Sequence, residues 1–315
     1  MLVGFFGITK LNYQPLTDNK TGERLLFFIA MKKSELQNGN PYTLIFLHIP
    51  KNAGRTFESI LERQYMEDCR YDIYGYGNSI TDAVEQLKKM PEEDKRKIKL
   101  IKGHYQFGLH EFLPQKSSYL TFLRDPVDRA VSHYHYVLRD HMHPLNKVVK
   151  AKHMSLSEYV ASGWSREIDN GQTRILSGKE HEYAFGQCPG ELLKLAKANL
   201  RNHFVAAGLV ERFDESLALM GLKFGWKKLY YQKKNINVQR PIKSEYDRNT
   251  LRIIEKYNEL DMELYEHASH ELDRMIAECE PEHGLRLVKL RRENSLYAPF
   301  ALLAKIKLYA KKIRL

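Results

Sequence analysis

With 315 residues, 43% hydrophobic and 28% charged, the chain has the composition of a globular protein and the length to bury one large core. Its three cysteines, Cys69, Cys188 and Cys279, are scattered and form no CxxC pair, which argues against a disulfide framework or a zinc site and fits a reducing compartment. The net charge of +11 is local: nine basic residues against Glu293 put eight of those charges in residues 285–315, so the body is nearly balanced and no nucleic-acid partner is expected.

Residues 1–40 read as an N-terminal extension. The apolar run at 25–31 is far too short to cross a bilayer, and no run reaches the roughly 18 residues a span needs. No basic stretch followed by an apolar run and a small-residue cleavage site opens the chain, so secretion is not indicated. Residues 43–49 (TLIFLHI) form a mostly apolar run, the pattern of a parallel strand covered on both faces. A helix then opens at Thr56, with Phe57, Ile60, Leu61 and Gln64 at helical spacing and Glu58, Glu62 and Arg63 assigned to the wet face.

The same strand–loop–helix pattern returns. Residues 97–103 read as a strand ending at His104, and 119–123 (YLTFL) as a buried strand broken at Arg124-Asp125-Pro126. The helix that follows carries Val127, Ala130, Val131, Tyr134 and Leu138 on one face, with Pro126 in its first turn, where the missing N–H costs nothing. Residues 191–200 read as helix, 204–209 as strand, 228–232 as a further strand and 249–268 as one long helix. Alternating strands and helices predict an α/β domain over 41–284, with a central, mainly parallel sheet flanked by helices. Residues 285–315 predict a basic amphipathic helical tail.

The loop after the first strand, Lys51-Asn52-Ala53-Gly54-Arg55-Thr56, is built for an anion. Amides at a helix N-terminus point toward the ligand, and the helix dipole adds about half a positive charge there. Gly54 permits close backbone approach, Thr56 offers a hydroxyl, and Lys51 places an ammonium at the mouth. The nucleotide loop GxxxxGK[ST] is absent, which counts against an NTPase. Taken alone, the segment reads equally as a surface turn with a solvated lysine. A second arm changes that balance: Arg124 ends a buried strand and Ser132 lies two turns into the next helix. In a parallel sheet both strand ends can open on one crevice. Arg124 can then fork onto a second phosphate and Ser132 add a hydrogen bond. Two clamps suit a ligand with phosphates at two ends.

FLHIPKNAGRTF followed by LRDPVDRAVSHYHY resembles the paired signatures of the sulfotransferases that use 3′-phosphoadenosine-5′-phosphosulfate (PAPS), in particular the carbohydrate branch that includes the heparan sulfate 2-O-sulfotransferases. The resemblance runs less sharply from 42 to 267. It implies a P-loop-like sulfotransferase fold. Lys51, Asn52, Ala53, Gly54, Arg55 and Thr56 would hold the 5′-phosphosulfate, and Arg124 and Ser132 the 3′-phosphate. It also implies PAPS as cosubstrate and 3′,5′-adenosine bisphosphate (PAP) as product, no metal, and a hydroxyl acceptor on a carbohydrate or glycolipid. Arg55 departs from the small hydroxylated residues common in relatives. Eukaryotic relatives carry an N-terminal membrane anchor; without one, the expectation is a cytoplasmic, bacterial enzyme.

Sulfuryl transfer asks the protein to position the reactants and stabilise charge. Lys51 is the candidate for the charge that develops on the bridging oxygen. Of thirteen histidines, His104 is the candidate general base, because it ends a strand and because GHYQF resembles the segment with the catalytic histidine of the 2-O branch. His48 is expected to pack or bond locally, His133 to point elsewhere on its helix and His135 to be partly buried, while His141 and His143 lie in a loop. The run DNGQTRILSG, with Asn170, Gln172 and Arg174, reads either as an acceptor-side loop or as a capped turn entering a helix. Lys233, Lys234 and Asn235 are candidates for closing over the nucleotide. In the tail, Leu302, Ile306, Tyr309 and Ile313 share one face of a basic helix that can lie on an anionic membrane or dock on protein. Two other function classes remain: a non-catalytic basic module that binds anionic polymers or membrane, and a nucleotide kinase.

Overall fold

The computed structural model describes residues 42–75, 78–232, 241 and 243–313, with side chains at 78 and beyond 299 left aside. The extension at 1–40, the candidates Lys233, Lys234 and Asn235, and the tail face at 302, 306, 309 and 313 lie outside the described backbone or side chains.

The chain runs through β1 (Tyr42–Leu47), α1 (Gly54–Leu61), β2 (Arg70–Ile73), α2 (Asn78–Lys89), α3 (Glu92–Lys97), β3 (Leu100–Gly103) and β4 (Lys116–Leu123). It continues through α4 (Pro126–Arg139), α5 (Asn146–Ala151), α6 (Leu156–Ala161), α7 (Gly171–Ser177), α8 (Glu191–His203), β5 (Phe204–Leu209), α9 (Phe213–Phe224), α10 (Arg248–Lys256), α11 (Glu259–Ala277) and α12 (Glu282–Ile313). The five strands form one parallel sheet in the order β2-β3-β1-β4-β5. This is the α/β architecture expected from the alternation of elements. Central β1 is buried from Thr43 onward, which is why its sequence is an unbroken apolar run rather than an alternating one.

Register places the functional loops together. Leu47 pairs with Gly103 and Phe46 with Leu120, so the segments after β1, β3 and β4 leave the same edge of the sheet side by side. The chain passes from β1 outward to β2 and back through β3, then crosses to β4 and β5 on the other side. The carboxyl ends of β1 and β4 therefore open a crevice of the kind in which α/β sheets bind ligands.

Three elements differ from the sequence expectation. Lys97 closes α3 instead of opening β3: acidic Glu92, Glu93 and Asp94 at its start and basic Lys95, Arg96 and Lys97 at its end suit the helix dipole. Residues 228–232 form no strand. Arg63 and Gln64 donate to the Lys228 carbonyl, and Asn294 Oδ1 accepts the Tyr231 amide, so side chains take the groups a sheet ladder would use. The long helix expected at 249–268 is broken into α10 and α11. Buried Asn258 turns its side-chain amide onto the carbonyls of Ile254 and Ile168 (2.9 and 3.0 Å), competing with the helix ladder. The basic tail belongs to α12, which packs along α9 through buried Leu290 and leaves Leu285, Val288 and Leu296 exposed. Among the described residues no helix is long and apolar enough to cross a membrane.

Candidate active site

Left-handed backbone at Lys51 (φ 71°) and Ala53 (φ 59°) folds the loop after β1 back on itself before α1 begins. Such alternation turns successive amides inward, the geometry of an anion nest. Asn52 N and Thr56 N are used inside the loop, on Ile49 O and Ala53 O. The amides of Ala53, Gly54 and Arg55 open the helix, where no preceding turn supplies an acceptor. Gly54 is required here, because a Cβ at this position would lie 1.8 Å from His48 Nε2. The Asn52 side chain, 1% exposed, staples the loop to β4 by donating to Phe122 O and to Gln172 Oε1, both at 2.7 Å.

The second arm meets the first. Arg124 Nη1 donates to Lys51 O at 3.1 Å, and its guanidinium lies 3.8 Å from Asp128. Gln172 joins the two arms: Oε1 accepts from Asn52 and from Arg124 N (3.0 Å), while Nε2 donates to Arg124 O (2.9 Å). Ser132 is half-buried on α4, two turns in from Pro126. Lys51 Nζ lies 3.9 Å from the centroid of the Tyr136 ring on the same helix. Burial lowers the Lys51 ammonium to about 8; nearby Glu167 opposes this and Arg139, Arg124 and Arg129 reinforce it. Arg55 projects outward, its side chain 69% exposed and 3.9 Å from Glu58.

His104 follows Gly103, whose φ of 153° and close approach to Ile73 O (a Cβ would lie 1.9 Å away) explain the glycine. His104 Nδ1 lies 2.9 Å from the His48 carbonyl. A carbonyl only accepts, so Nδ1 carries the proton and Nε2 keeps a lone pair. Burial, helped by the charge of His48, lowers His104 to about 4, so the ring is neutral at physiological pH.

Under this ring lies a network that helical periodicity does not reveal. Glu58, assigned to the wet face, is 4% exposed. His48 Nδ1 lies 2.7 Å from its Oε1, and Tyr74 OH donates to the same oxygen. Burial works to raise this carboxyl, but the hydrogen bond and charge of His48, with Tyr74 and Lys102, outweigh it and hold Glu58 at about 2. His48 therefore bonds locally, as expected of it.

Opposite, the buried Arg129 guanidinium donates to Pro50 O and to Glu167 O, and His133 Nε2 lies 3.3 Å from Glu167 Oε2. His133 thus faces away from Ser132, and His135 bonds Tyr246 OH at 2.8 Å. The DNGQTR run enters the buried helix α7 through Asn170 in left-handed backbone, without a side-chain cap. Asn170 Oδ1 accepts the amides that open α11, and fully buried Arg174 pairs with Asp169. Gln172 is the one of the three that reaches the crevice.

A family model for galactose-3-O-sulfotransferases matches residues 28–298. The chain belongs to that family. Over 94 residues it is also 30% identical to a protein-tyrosine sulfotransferase of Arabidopsis thaliana; that stretch is 30% of this chain and 17% of the relative. Both names are those of sulfuryl-transfer enzymes. Lys51, Asn52, Arg124 and His104 stand just after three adjacent strand ends. Arg129 and Glu167, which the sequence did not single out, and Gln172, named there only within its polar run, arrive from segments more than 70 positions along the chain from the loop at 51–56. Only Gln172 carried a signal, through its polar run.

Proposed function

We propose that the protein transfers a sulfuryl group from PAPS to a hydroxyl of a carbohydrate. The observation that carries this reading is the direct contact of two anion arms, Arg124 Nη1 on Lys51 O at 3.1 Å, beside a histidine whose free ring nitrogen is unprotonated. The residues fit a ligand with phosphate at both ends: amides of Ala53, Gly54 and Arg55 with Thr56 for the 5′ end, Arg124 and Ser132 for the 3′ phosphate. PAPS supplies the activated sulfuryl group. His104 Nε2 takes the proton of the attacking hydroxyl, and Lys51 offsets the negative charge that collects on the bridging oxygen. Lys51, with an ordinary ammonium pulled down to about 8, is still mostly charged at neutral pH. The name of the matched family supports a sugar acceptor, as does the resemblance to the 2-O branch. The tyrosine-type relative aligns over 94 residues only.

The test is calorimetric titration with PAP, without metal, beside AMP and ATP. PAP binding that weakens sharply for AMP, and again in Arg124→Ala, is expected. His104→Ala is expected to lose about 10²–10⁴-fold in turnover with PAP affinity kept. Binding of ATP only with Mg²⁺ would favour a kinase. Salt-sensitive polymer binding that persists in Lys51→Ala, with no transfer, would favour a non-catalytic basic module.

A further inference from the structure

The His104 ring is enclosed on three sides by groups that the proposed reaction does not use. Its centroid lies 4.3 Å from that of His48, tilted by 37°, and 5.2 Å from that of Tyr74, nearly edge-on at 87°. Its Nδ1 is bonded to the His48 carbonyl. His48 itself is fixed by Glu58 at 2.7 Å, and Glu58 by Tyr74 OH. On its far side His48 Nε2 stands directly under Gly54, the first residue of α1 and part of the anion loop. A buried carboxylate is costly unless paired and hydrogen-bonded. Here the pairing connects β1, α1 and the segment after β2 beneath one imidazole.

We infer that Glu58, His48 and Tyr74 are positioning residues for His104: they hold its ring in one orientation and in the Nδ1–H tautomer, with Nε2 ready to accept a proton. The inference rests on the general-base reading of His104. A base whose lone pair alternates between two nitrogens presents the wrong one part of the time. A ring displaced by about 1 Å can cost on the order of 10²-fold in rate. Glu58 does this at a distance, by anchoring the residue whose carbonyl and ring both touch His104.

The first measurement is NMR of the imidazole nitrogens in the full chain labelled with ¹⁵N-histidine, with His104→Ala assigning the signal. The native protein is expected to show a single Nδ1–H tautomer for His104, and Glu58→Gln a mixture containing Nε2–H. Tyr74→Phe, which leaves the carboxylate and both ring contacts in place, is expected to move the same way by less. It also serves as the second variant if Glu58→Gln does not fold. The second measurement is a double-mutant cycle with PAPS and lactose as acceptor. Glu58→Gln is expected to lower kcat about tenfold or more with the KM for PAPS within about twofold, Glu58→Asp to restore part of it, and Glu58→Gln to cost nothing further in His104→Ala. An unchanged single tautomer in both Glu58→Gln and Tyr74→Phe would overturn the inference. So would a full-sized kcat loss when Glu58→Gln is added to His104→Ala. If His104→Ala itself leaves turnover intact, the general-base reading fails, and the tautomer measurement still decides whether the clamp exists.

Discussion

Gln172 offers the sharpest separation between a structural and an electrostatic role for the crevice. Its amide makes three hydrogen bonds, to Asn52 Nδ2, Arg124 N and Arg124 O, at 2.7, 3.0 and 2.9 Å, and its side chain is 1% exposed. Gln172→Leu removes the hydrogen bonds that Gln172 makes to Arg124 N and O, while Asn52 keeps Phe122 O as an acceptor. A buried polar group that loses its hydrogen bond costs about 1–3 kcal/mol. The Arg124 peptide is only part-buried, so water can recover some of this, and about 2–3 kcal/mol of stability is the expected loss. PAP affinity is expected to fall about tenfold, about 1.4 kcal/mol, because the two anion arms lose their common anchor. Gln172→Glu keeps the acceptor for Asn52 and for Arg124 N but loses the donor to Arg124 O. It also puts a negative charge between the two arms, so its PAP affinity is expected to fall further than its stability. Urea denaturation and PAP calorimetry on both variants provide the two readouts. If Gln172→Leu unfolds at the native midpoint and binds PAP as the native protein does, or if Gln172→Glu binds PAP normally, the cross-link between the arms is not what shapes the site.

Gly54→Ala would press a methyl group against His48 Nε2 at 1.8 Å; it is expected to cost about 1–3 kcal/mol and most PAP binding, whereas Gly190→Ala, where a Cβ meets nothing within 4 Å, is the neutral control in the same denaturation and calorimetry experiments. Lys51 titrates at about 8 in the folded chain, and an anion bound beside it favours the charged form, so PAP affinity is expected to fall as pH rises through about 8. Calorimetry across that range checks this, with Lys51→Arg flattening the profile; a flat profile in the native protein would remove Lys51 from the site. Removing residues 296–315 tests whether the basic tail, next to exposed Leu285, Val288 and Leu296, holds the protein to anionic liposomes; flotation that is the same with and without it eliminates the tail as a membrane contact.

The parts of this protein that sequence reveals are those set by local rules. An apolar run bounded by a basic, glycine-containing loop identifies β1 and the start of α1. Pro126 after Arg124-Asp125 identifies the end of β4 and the start of α4, which begins at that proline. The boundaries of β5 could be read residue for residue, because Phe204–Leu209 is an apolar run directly after a helix. The resemblance to sulfotransferases rested on the same local signals, and it reached the sulfuryl-transfer class; the family matched is the galactose-3-O one. Its placement nearer the heparan sulfate 2-O branch concerned finer detail than these motifs carry.

What sequence missed was set by partners distant along the chain. Helical spacing put Glu58 on the wet face of α1, and in an isolated helix it would be there. Three neighbours from other segments change that: His48 before the loop, Tyr74 after β2 and Lys102 on β3 converge on one carboxylate and offset its burial. The same reasoning explains the broken helix at Asn258, which reaches Ile168 ninety positions away, and the missing strand at 228–232, whose carbonyls are taken by Arg63 and Gln64. In each case a polar side chain has found a backbone or charged partner that helical periodicity does not show. A buried acid so close in sequence to the anion loop would be a liability if its only effect were to repel the ligand. Its contact with His48 at 2.7 Å, with the Tyr74 hydroxyl on the same oxygen, offsets that burial and places the carboxylate under His104, and this is why the wet-face assignment failed at Glu58.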